Sequence, residues 1–309
     1  MALATDNSAR EFPAAGRRGR ERLRSGLKLG LKQLWKSKTG TVGAVIVSAV
    51  CLVALFAPWL ATHDPAAVAP IERLKPPMWL EGGSSEFILG TDNLGRDIWS
   101  RIVYGSRISL IVGVGAVLVS GAIGAVLGLL AGYYGKWINA TIMRVADAFL
   151  AIPTILLMLV VLAVVGPGLT TLIFVIGATN WVTYARVVRS EVLSMKERDF
   201  VKAARAVGAK NSRIIFKHIL PNVVSSFIVI SGMNVATTII LEASLSFLGL
   251  GIKTPDVSWG GMLSDGRQYV ATSWWVAAIP GMAITVTVLG IIFLGDWLRD
   301  LLDPRMAKD

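Results

Sequence analysis

The stretch FVKAARAVGAKNSRIIFKHILPN, residues 200–222, is a basic interruption of a very apolar chain. It holds five Lys or Arg residues and no acidic residue, and long uncharged runs lie on both sides of it. Its first apolar residues follow the i, i+3, i+4, i+7 spacing of one helical face, and its first basic residues lie on another face. The two sets are Phe200, Ala203, Ala204 and Val207, and Lys202 and Arg205. This pattern predicts an amphipathic helix.

A hinge should follow this helix, because Gly208 stands just after its last periodic residue, where glycine commonly ends a helix. Asn211 or Ser212 is then expected to cap a second short helix. Pro221 suits the first turn of the membrane span that follows. The stretch therefore predicts two angled helices joined by a glycine, which favours a docking element over a basic helix lying on anionic lipid.

The composition indicates a polytopic membrane protein. Of the 309 residues, 54% are hydrophobic and only 17% are charged, whereas soluble domains carry about 25% charged residues. The net charge of +11 is interpreted as the positive-inside bias of a membrane protein, and no nucleic-acid partner is expected. Cys51, expected to be a small buried residue, is the one cysteine, and the two histidines lack ligand spacing, so neither a disulfide nor a metal site is predicted.

Uncharged runs predict six transmembrane helices in an all-α fold, since one span needs roughly 20 apolar residues. The run from 148 to 185 is long enough for two spans, and the sequence GPG at 166–168 divides it. With the amino terminus inside, 24 of the 31 Lys and Arg residues fall on the cytoplasmic side, which predicts that both termini are cytoplasmic. The expected spans are 39–62, 108–134, 148–165, 169–185, 219–241 (extending at most to 250) and 268–295.

The predicted domain organisation follows from these spans. A basic, largely disordered cytoplasmic region precedes the first span, and a structured external segment follows that span. Within that segment Thr91, Asp92 or Asn93 is expected to cap a short amphipathic helix. Gly124, Gly128 and Gly132 share one face of the second span and predict close packing against a neighbouring helix or subunit. The expected boundaries are 1–38, 39–62, 63–105, a permease core at 106–296 with a cytoplasmic loop at 189–221, and a cytoplasmic tail at 297–309.

The stretch AARAVGAKNSRIIFKHILPN resembles the EAA loop of type I binding-protein-dependent ABC importers. Ala203, Ala204 and Gly208 match that motif in spacing, as does the Leu220-Pro221 pair, while Lys202 stands where the motif has Glu. Further matches, in order, are LGTDNLGRDIWSRIVYGSRISL, MRVADAFLAIPTILL, LEASLSFLGLG, WGGMLSDGR and GDWLRDLLDPR. Together they resemble the C-type permease subunit of dipeptide and oligopeptide importers over roughly residues 35–305.

The resemblance implies a permease in the bacterial inner membrane, with a second homologous permease, two ATP-binding subunits and an extracytoplasmic substrate-binding protein as partners. The loop would form a coupling helix that seats in an ATPase subunit. Its expected coupling residues are Lys202, Ala203, Ala204, Arg205, Gly208, Lys210, Leu220 and Pro221. The sequence has no GxxxxGK[ST] motif, so no cofactor and no enzyme activity are expected in this chain, and ATP and Mg²⁺ would be bound by the partner subunits.

Charged residues near the membrane suggest a translocation path or gate. Arg144 and Asp147 are spaced to pair on one helix, and Glu242 lies at the outer end of the fifth span, where it could receive a peptide amino group. Structural roles for the three residues remain open at this stage.

Two other classes of membrane protein fit less well. An intramembrane hydrolase would need paired catalytic groups, and an ion-coupled secondary transporter would need intramembrane carboxylates or inverted repeats. Neither feature is found in the spans. The substrate stays open among dipeptides, oligopeptides, glutathione and nickel chelates.

Overall fold

A computed structural model of the chain describes residues 33–35, 37–253 and 255–302. The expected disordered region at 1–38 therefore lies almost wholly outside the described residues, as does the end of the predicted tail. Within the described ranges the fold is helical, and its β-structure is limited to a single bridge between Thr91 and Asp97. The helices of eight or more residues are α1 (Lys38–Leu55), α2 (Ile98–Tyr134), α3 (Lys136–Ala151), α4 (Thr154–Val165), α5 (Leu169–Lys196), α6 (Asp199–Ala206), α7 (Asn211–Leu250), α8 (Trp259–Gly266) and α9 (Trp275–Leu302).

Five of these helices, α1, α2, α5, α7 and α9, are each long and apolar enough to cross a membrane. The pair α3 and α4, which bend by 87° where they meet, is a sixth candidate span when the two helices are counted together. The predicted span at 148–165 corresponds to the last residues of α3 and the whole of α4, with the break between the two helices inside it. Pro153 follows the end of α3, and a proline restricts the residue before it to extended backbone, which Ile152 adopts.

The second span is longer than predicted, and its cap was assigned to the wrong residues. The external amphipathic helix is not separate, because α2 runs unbroken from Ile98 to Tyr134. Its N-cap is Asp97, whose carboxylate accepts a hydrogen bond from the Ser100 backbone N–H at 2.9 Å. The candidates Thr91, Asp92 and Asn93 lie in the loop before this cap.

The core of the bundle is the close contact between α2 and α5, as the glycine stripe predicted. A Cβ atom on Gly128 would lie 2.7 Å from the Ala185 carbonyl oxygen, and one on Gly132 would lie 2.7 Å from the Val192 Cβ. In the same way, Gly124 of α2 lies close against Tyr184 of α5. Small residues thus let two backbones approach closely where a hydrophobic driving force between helices is absent.

The remaining spans are arranged around this pair. Helix α9 packs against α1 and α7, and α7 also contacts α2 and α5. Helix α9 continues to Leu302, so the first residues of the predicted tail at 297–309 are helical. Cys51, expected to be buried, is exposed on α1, because that face of the helix is turned away from the bundle.

The two ends of the bundle carry different structures. At one end, here called the cap side, residues 61–97 and α8 cover the starts of α2 and α9. At the other end, here called the loop side, α6 lies between the end of α5 and the start of α7. The candidate site is on the loop side.

Candidate functional site

Helix α6 is fixed to the bundle through one face. Val201 is fully buried there and packs in a cluster with Val192 of α5 and Ile214 of α7. The end of α2 completes this anchor, because the Tyr133 hydroxyl donates to the Asn211 side-chain oxygen at 2.7 Å. The loop is therefore a shaped part of the fold, attached to three spans.

The predicted glycine hinge is confirmed at Gly208, which has a φ of +77°. The Gly208 N–H donates to the Arg205 carbonyl at 3.0 Å, and the Ala209 N–H donates to the Ala204 carbonyl at 3.0 Å. This pair of bonds is the Schellman motif, which ends a helix with one residue in the left-handed region. A Cβ atom on Gly208 would meet no atom within 4 Å, so the requirement for glycine comes from the backbone alone.

The apolar stripe predicted on α6 exists, but most of it is not buried in this chain. Phe200 is 46% exposed and Val207 is 84% exposed, and Ala203 is exposed between them. Val201, outside the predicted stripe, is the residue that faces the bundle. The exposed stripe and the cations beside it are here called the coupling surface, which comprises Phe200, Lys202, Ala203, Arg205, Val207, Gly208 and Lys210. Ala204 is half-buried at its edge.

The position that carries Lys202 in place of the motif's Glu forms a local ion pair. The Lys202 ammonium lies 3.1 Å from the Glu197 carboxylate, and both side chains are largely exposed. Exposed pairs of this kind contribute about 0–1 kcal/mol to stability. This pair holds the Lys202 side chain near the start of α6 and removes little of its charge from the coupling surface.

The second short helix predicted after the hinge is not separate. Helix α7 begins at Asn211 after Lys210 as N-cap, without a side-chain cap bond, and it runs on into the span. Leu220 and Pro221 lie where a π-helical segment gives way to regular helix, and the Leu220 N–H donates to the Ile215 carbonyl. A proline lacks the N–H that would bond to the carbonyl four residues earlier, and the wider turn accommodates that loss.

Two families of membrane transport proteins match this chain. Residues 124–308 match the family described as binding-protein-dependent transport system inner membrane component, and residues 25–77 match the N-terminal TM domain of oligopeptide transport permease C. The chain belongs to the first of these families. It is a permease subunit of a bacterial ABC importer and a multi-pass inner-membrane protein.

Several curated relatives of this permease cover nearly its whole length. It is 46% identical to the dipeptide transport system permease protein DppC of Alkalihalophilus pseudofirmus, over 90% of this chain and 89% of the relative. It is 40% identical to the di/tripeptide transport system permease protein DppC of Pseudomonas aeruginosa, over 90% and 93%. It is 38% identical to the oligopeptide transport system permease protein OppC of Bacillus subtilis, over 89% and 91%.

A solved structure shows the same fold. A chain of the inward-facing MetNI methionine ABC transporter aligns with a TM-score of 0.54 and 21% identity, over 67% of this permease and 97% of that chain. The prediction of a type I ABC importer permease fold is thereby confirmed.

The permease does not pair Arg144 with Asp147, as their spacing had suggested. Asp147 accepts instead from Arg186 of α5, with 2.7 Å between the Asp147 Oδ1 and Arg186 Nη2 atoms. Among the described residues Arg144 forms no ion pair, and its side chain is exposed. The two partners of this ion pair, Asp147 and Arg186, lie on different helices, and only the packing of α3 against α5 brings them together.

Glu242 does not lie at an open mouth of the permease. Its side chain is fully buried near the cap-side end of α7, and its Oε1 atom accepts from the Ser246 hydroxyl at 2.7 Å. Its Oε2 atom has no hydrogen-bond partner among the described residues. Helix α8 covers it, since a Cβ on Gly260 would lie 2.5 Å from the Cα of neighbouring Ala243. This burial of the Glu242 side chain favours a structural role over a role as a gate.

An ion cluster on the cap side was not predicted from the sequence. Arg96 donates through Nε to Asp92 at 2.6 Å and through Nη2 to Asp265 at 2.9 Å. Arg101 lies 3.5 Å from the same Asp92 carboxylate and 3.3 Å from Asp265. Three of the four side chains are almost completely buried, and the cluster attaches the segment before α2 to α8. The charged residues of the GTDNLGRDIWSR and LSDGR motifs were the available signal.

Proposed function

We propose that this permease imports peptides and couples their passage to ATP hydrolysis by partner subunits through the coupling surface. The observation that carries the coupling role is a helix anchored to three spans by one face, with its apolar and basic residues exposed on the other. The peptide substrate is supported by the relatives, which are dipeptide, di/tripeptide and oligopeptide permeases of 38–46% identity.

The partners follow from the same proposal. Two ATPase subunits bind ATP and Mg²⁺, a second permease completes the path, and a binding protein delivers the peptide on the cap side. With the loop side in the cytoplasm, both termini are cytoplasmic, which agrees with the distribution of basic residues.

The coupling surface is suited to a protein groove. Phe200 and Val207 expose apolar side chains about two helical turns apart, and an amphipathic helix that binds in a hydrophobic groove uses side chains spaced in this way. Arg205 and Lys210 beside them favour an acidic rim. Because α6 is rigidly attached to α5 and α7, a displacement of the partner would be transmitted to both spans.

Cysteine cross-linking tests the docking role directly. Ala203→Cys, placed in a Cys51→Ala background, should cross-link to the ATPase subunit in purified complexes treated with a short bifunctional maleimide. Val201→Cys is the control, since Val201 faces the bundle and should remain unmodified. Equal cross-linking at both positions, or cross-linking at neither, would contradict docking through this surface.

Uptake tests the substrate. Proteoliposomes containing this permease with its partner permease, ATPases and binding protein should accumulate radiolabelled dipeptides in an ATP-dependent way. Uptake of glutathione or a nickel chelate in preference to dipeptides would contradict the peptide assignment and support the alternative that the sequence left open.

A further inference from the structure

A cavity with both polar and apolar walls opens between three spans on the loop side. It has a volume of about 480 Å³ and is lined by residues of α5, α7 and α9. Its apolar wall includes Val229 and Met233, and its polar groups are Glu191, Arg299 and two serines. Both charges lie near the loop-side ends of their helices, because Glu191 is five residues before the end of α5 and the exposed Arg299 is three residues before the end of α9.

The two charges of this loop-side cavity are of opposite sign and do not neutralise each other. No ion pair joins Glu191 to Arg299, nor does either form one with another described residue within 4.0 Å. Glu191 is half-buried and accepts a hydrogen bond from the Ser226 hydroxyl at 2.9 Å. That bond orients one carboxylate oxygen and leaves the other free to accept. Ser225 adds another hydroxyl to the wall.

We propose that the loop-side cavity is a transient binding site for a zwitterionic peptide, with Glu191 receiving the α-ammonium group and Arg299 the carboxylate. This inference rests on the proposed function and adds the groups that recognise the substrate. The volume lies within the range of roughly 300–1,000 Å³ typical of small-molecule sites.

The position of the cavity connects it to the coupling surface. Glu191 is five residues before the end of α5, which leads into α6, and Ser226 lies in α7, which leads out of the hinge. Two of the three helices that line the cavity, α5 and α7, are therefore the helices that flank the coupling surface. A movement of α6 changes their separation, so peptide affinity should depend on the nucleotide state of the partner ATPases, and the dependence should be reciprocal.

The first test uses wild-type protein and three ligands. The complete complex without binding protein, in nanodiscs, is titrated with alanyl-alanine, N-acetyl-alanyl-alanine and alanyl-alanine amide, and saturation-transfer NMR reports each apparent Kd. Each blocked ligand loses one charge-assisted hydrogen bond, so we expect each to bind roughly tenfold or more weakly. Equal binding of all three ligands, or no binding of alanyl-alanine, would overturn the proposal.

The second test assigns the two ends of the peptide. Glu191→Gln should weaken alanyl-alanine roughly tenfold and leave the N-acetylated ligand unchanged, and Arg299→Gln should show the same relation with the amide. Asp300→Asn, an exposed neighbour of Arg299 outside the cavity, should bind all three ligands as wild type does. Variants that retain wild-type selectivity would show that the peptide binds elsewhere.

Four further outcomes distinguish the parts of the proposal. Phosphatidylethanolamine is also zwitterionic, and an alanyl-alanine affinity that falls as its content in the nanodisc rises would assign the cavity to lipid. Equal affinities in nucleotide-free and vanadate-trapped complexes would overturn the connection to the coupling surface. If peptide uptake persists but the binding tests fail, only the proposal of a peptide site in the cavity is overturned. If the wild type shows no peptide uptake, the proposed function itself is overturned.

Discussion

Replacing Gly208 separates the role of backbone conformation from that of side-chain volume. At a φ of +77°, a residue with a Cβ atom costs about 1–2 kcal/mol, and a β-branched one is a clear outlier there. No atom lies within 4 Å of the Cβ position, so steric clash adds nothing within this chain. Gly208→Val should therefore reduce the population of the hinged turn roughly 5- to 30-fold. Asn tolerates the left-handed region, which makes Gly208→Asn the matched control.

The assay is peptide-stimulated ATP hydrolysis together with peptide uptake, both in proteoliposomes that contain all subunits. We expect Gly208→Val to lose most of both, because the exposed face of α6 no longer keeps its angle to α7. Gly208→Asn should retain most of both. Membrane insertion should be unchanged in the two variants, and the melting temperature should fall only slightly, because the position is exposed and a side chain there touches no other element.

Two results would refute this reasoning. Wild-type coupling in Gly208→Val would show that the left-handed turn is not needed for transmission. Equal loss in Gly208→Val and Gly208→Asn would show that the partner subunit requires the absence of a side chain, and that the backbone conformation is secondary.

Further predictions concern stability and the buried carboxylates. Gly128→Ala should lower the melting temperature in detergent, at a cost of about 1–3 kcal/mol in stability, because its Cβ would lie 2.7 Å from the Ala185 carbonyl oxygen. Gly232→Ala should leave the melting temperature unchanged, because the nearest atom to its Cβ would be 4.0 Å away. Asp92→Asn should lower the free energy of unfolding by about 3–5 kcal/mol, because it leaves buried arginines without a charged partner. Limited proteolysis within residues 61–97 should detect the loosened segment. Asp265→Asn should lower the stability less, because the Asp265 side chain is 40% exposed. Glu242→Gln keeps the acceptor for the Ser246 hydroxyl and should retain uptake and melting temperature; loss of uptake with an intact fold would restore the gate hypothesis.

The approximate positions of the helices were readable from the sequence of this permease, whereas several of their ends were not. Span positions follow from uncharged length, and the cap at Gly208 follows from the position of one glycine after a periodic pattern. The stripe at Gly124, Gly128 and Gly132 also identified a packing face correctly. Each of these features depends on residues that are a few positions apart, so a local sequence pattern is enough to predict it.

Helix continuity was harder to predict, because a break depends on how the backbone bonds around a proline are satisfied. Pro153 separates α3 from α4, whereas Pro221 lies inside a helix that continues through a π-helical turn. The sequence shows the same residue type at both positions. The surrounding packing, with Ile214 and Ile219 fully buried at the second site, holds that helix together.

Contacts between distant residues were decided by the tertiary structure alone. Asp147 pairs with Arg186 in place of Arg144, and Arg96 reaches Asp265 across 169 residues of sequence. Which face of α6 meets the bundle was likewise fixed by its neighbours on α5 and α7, so that the apolar stripe became an exposed surface. Periodicity places side chains on a face, but the direction of that face depends on which helices pack beside it, and a local sequence pattern does not contain this information.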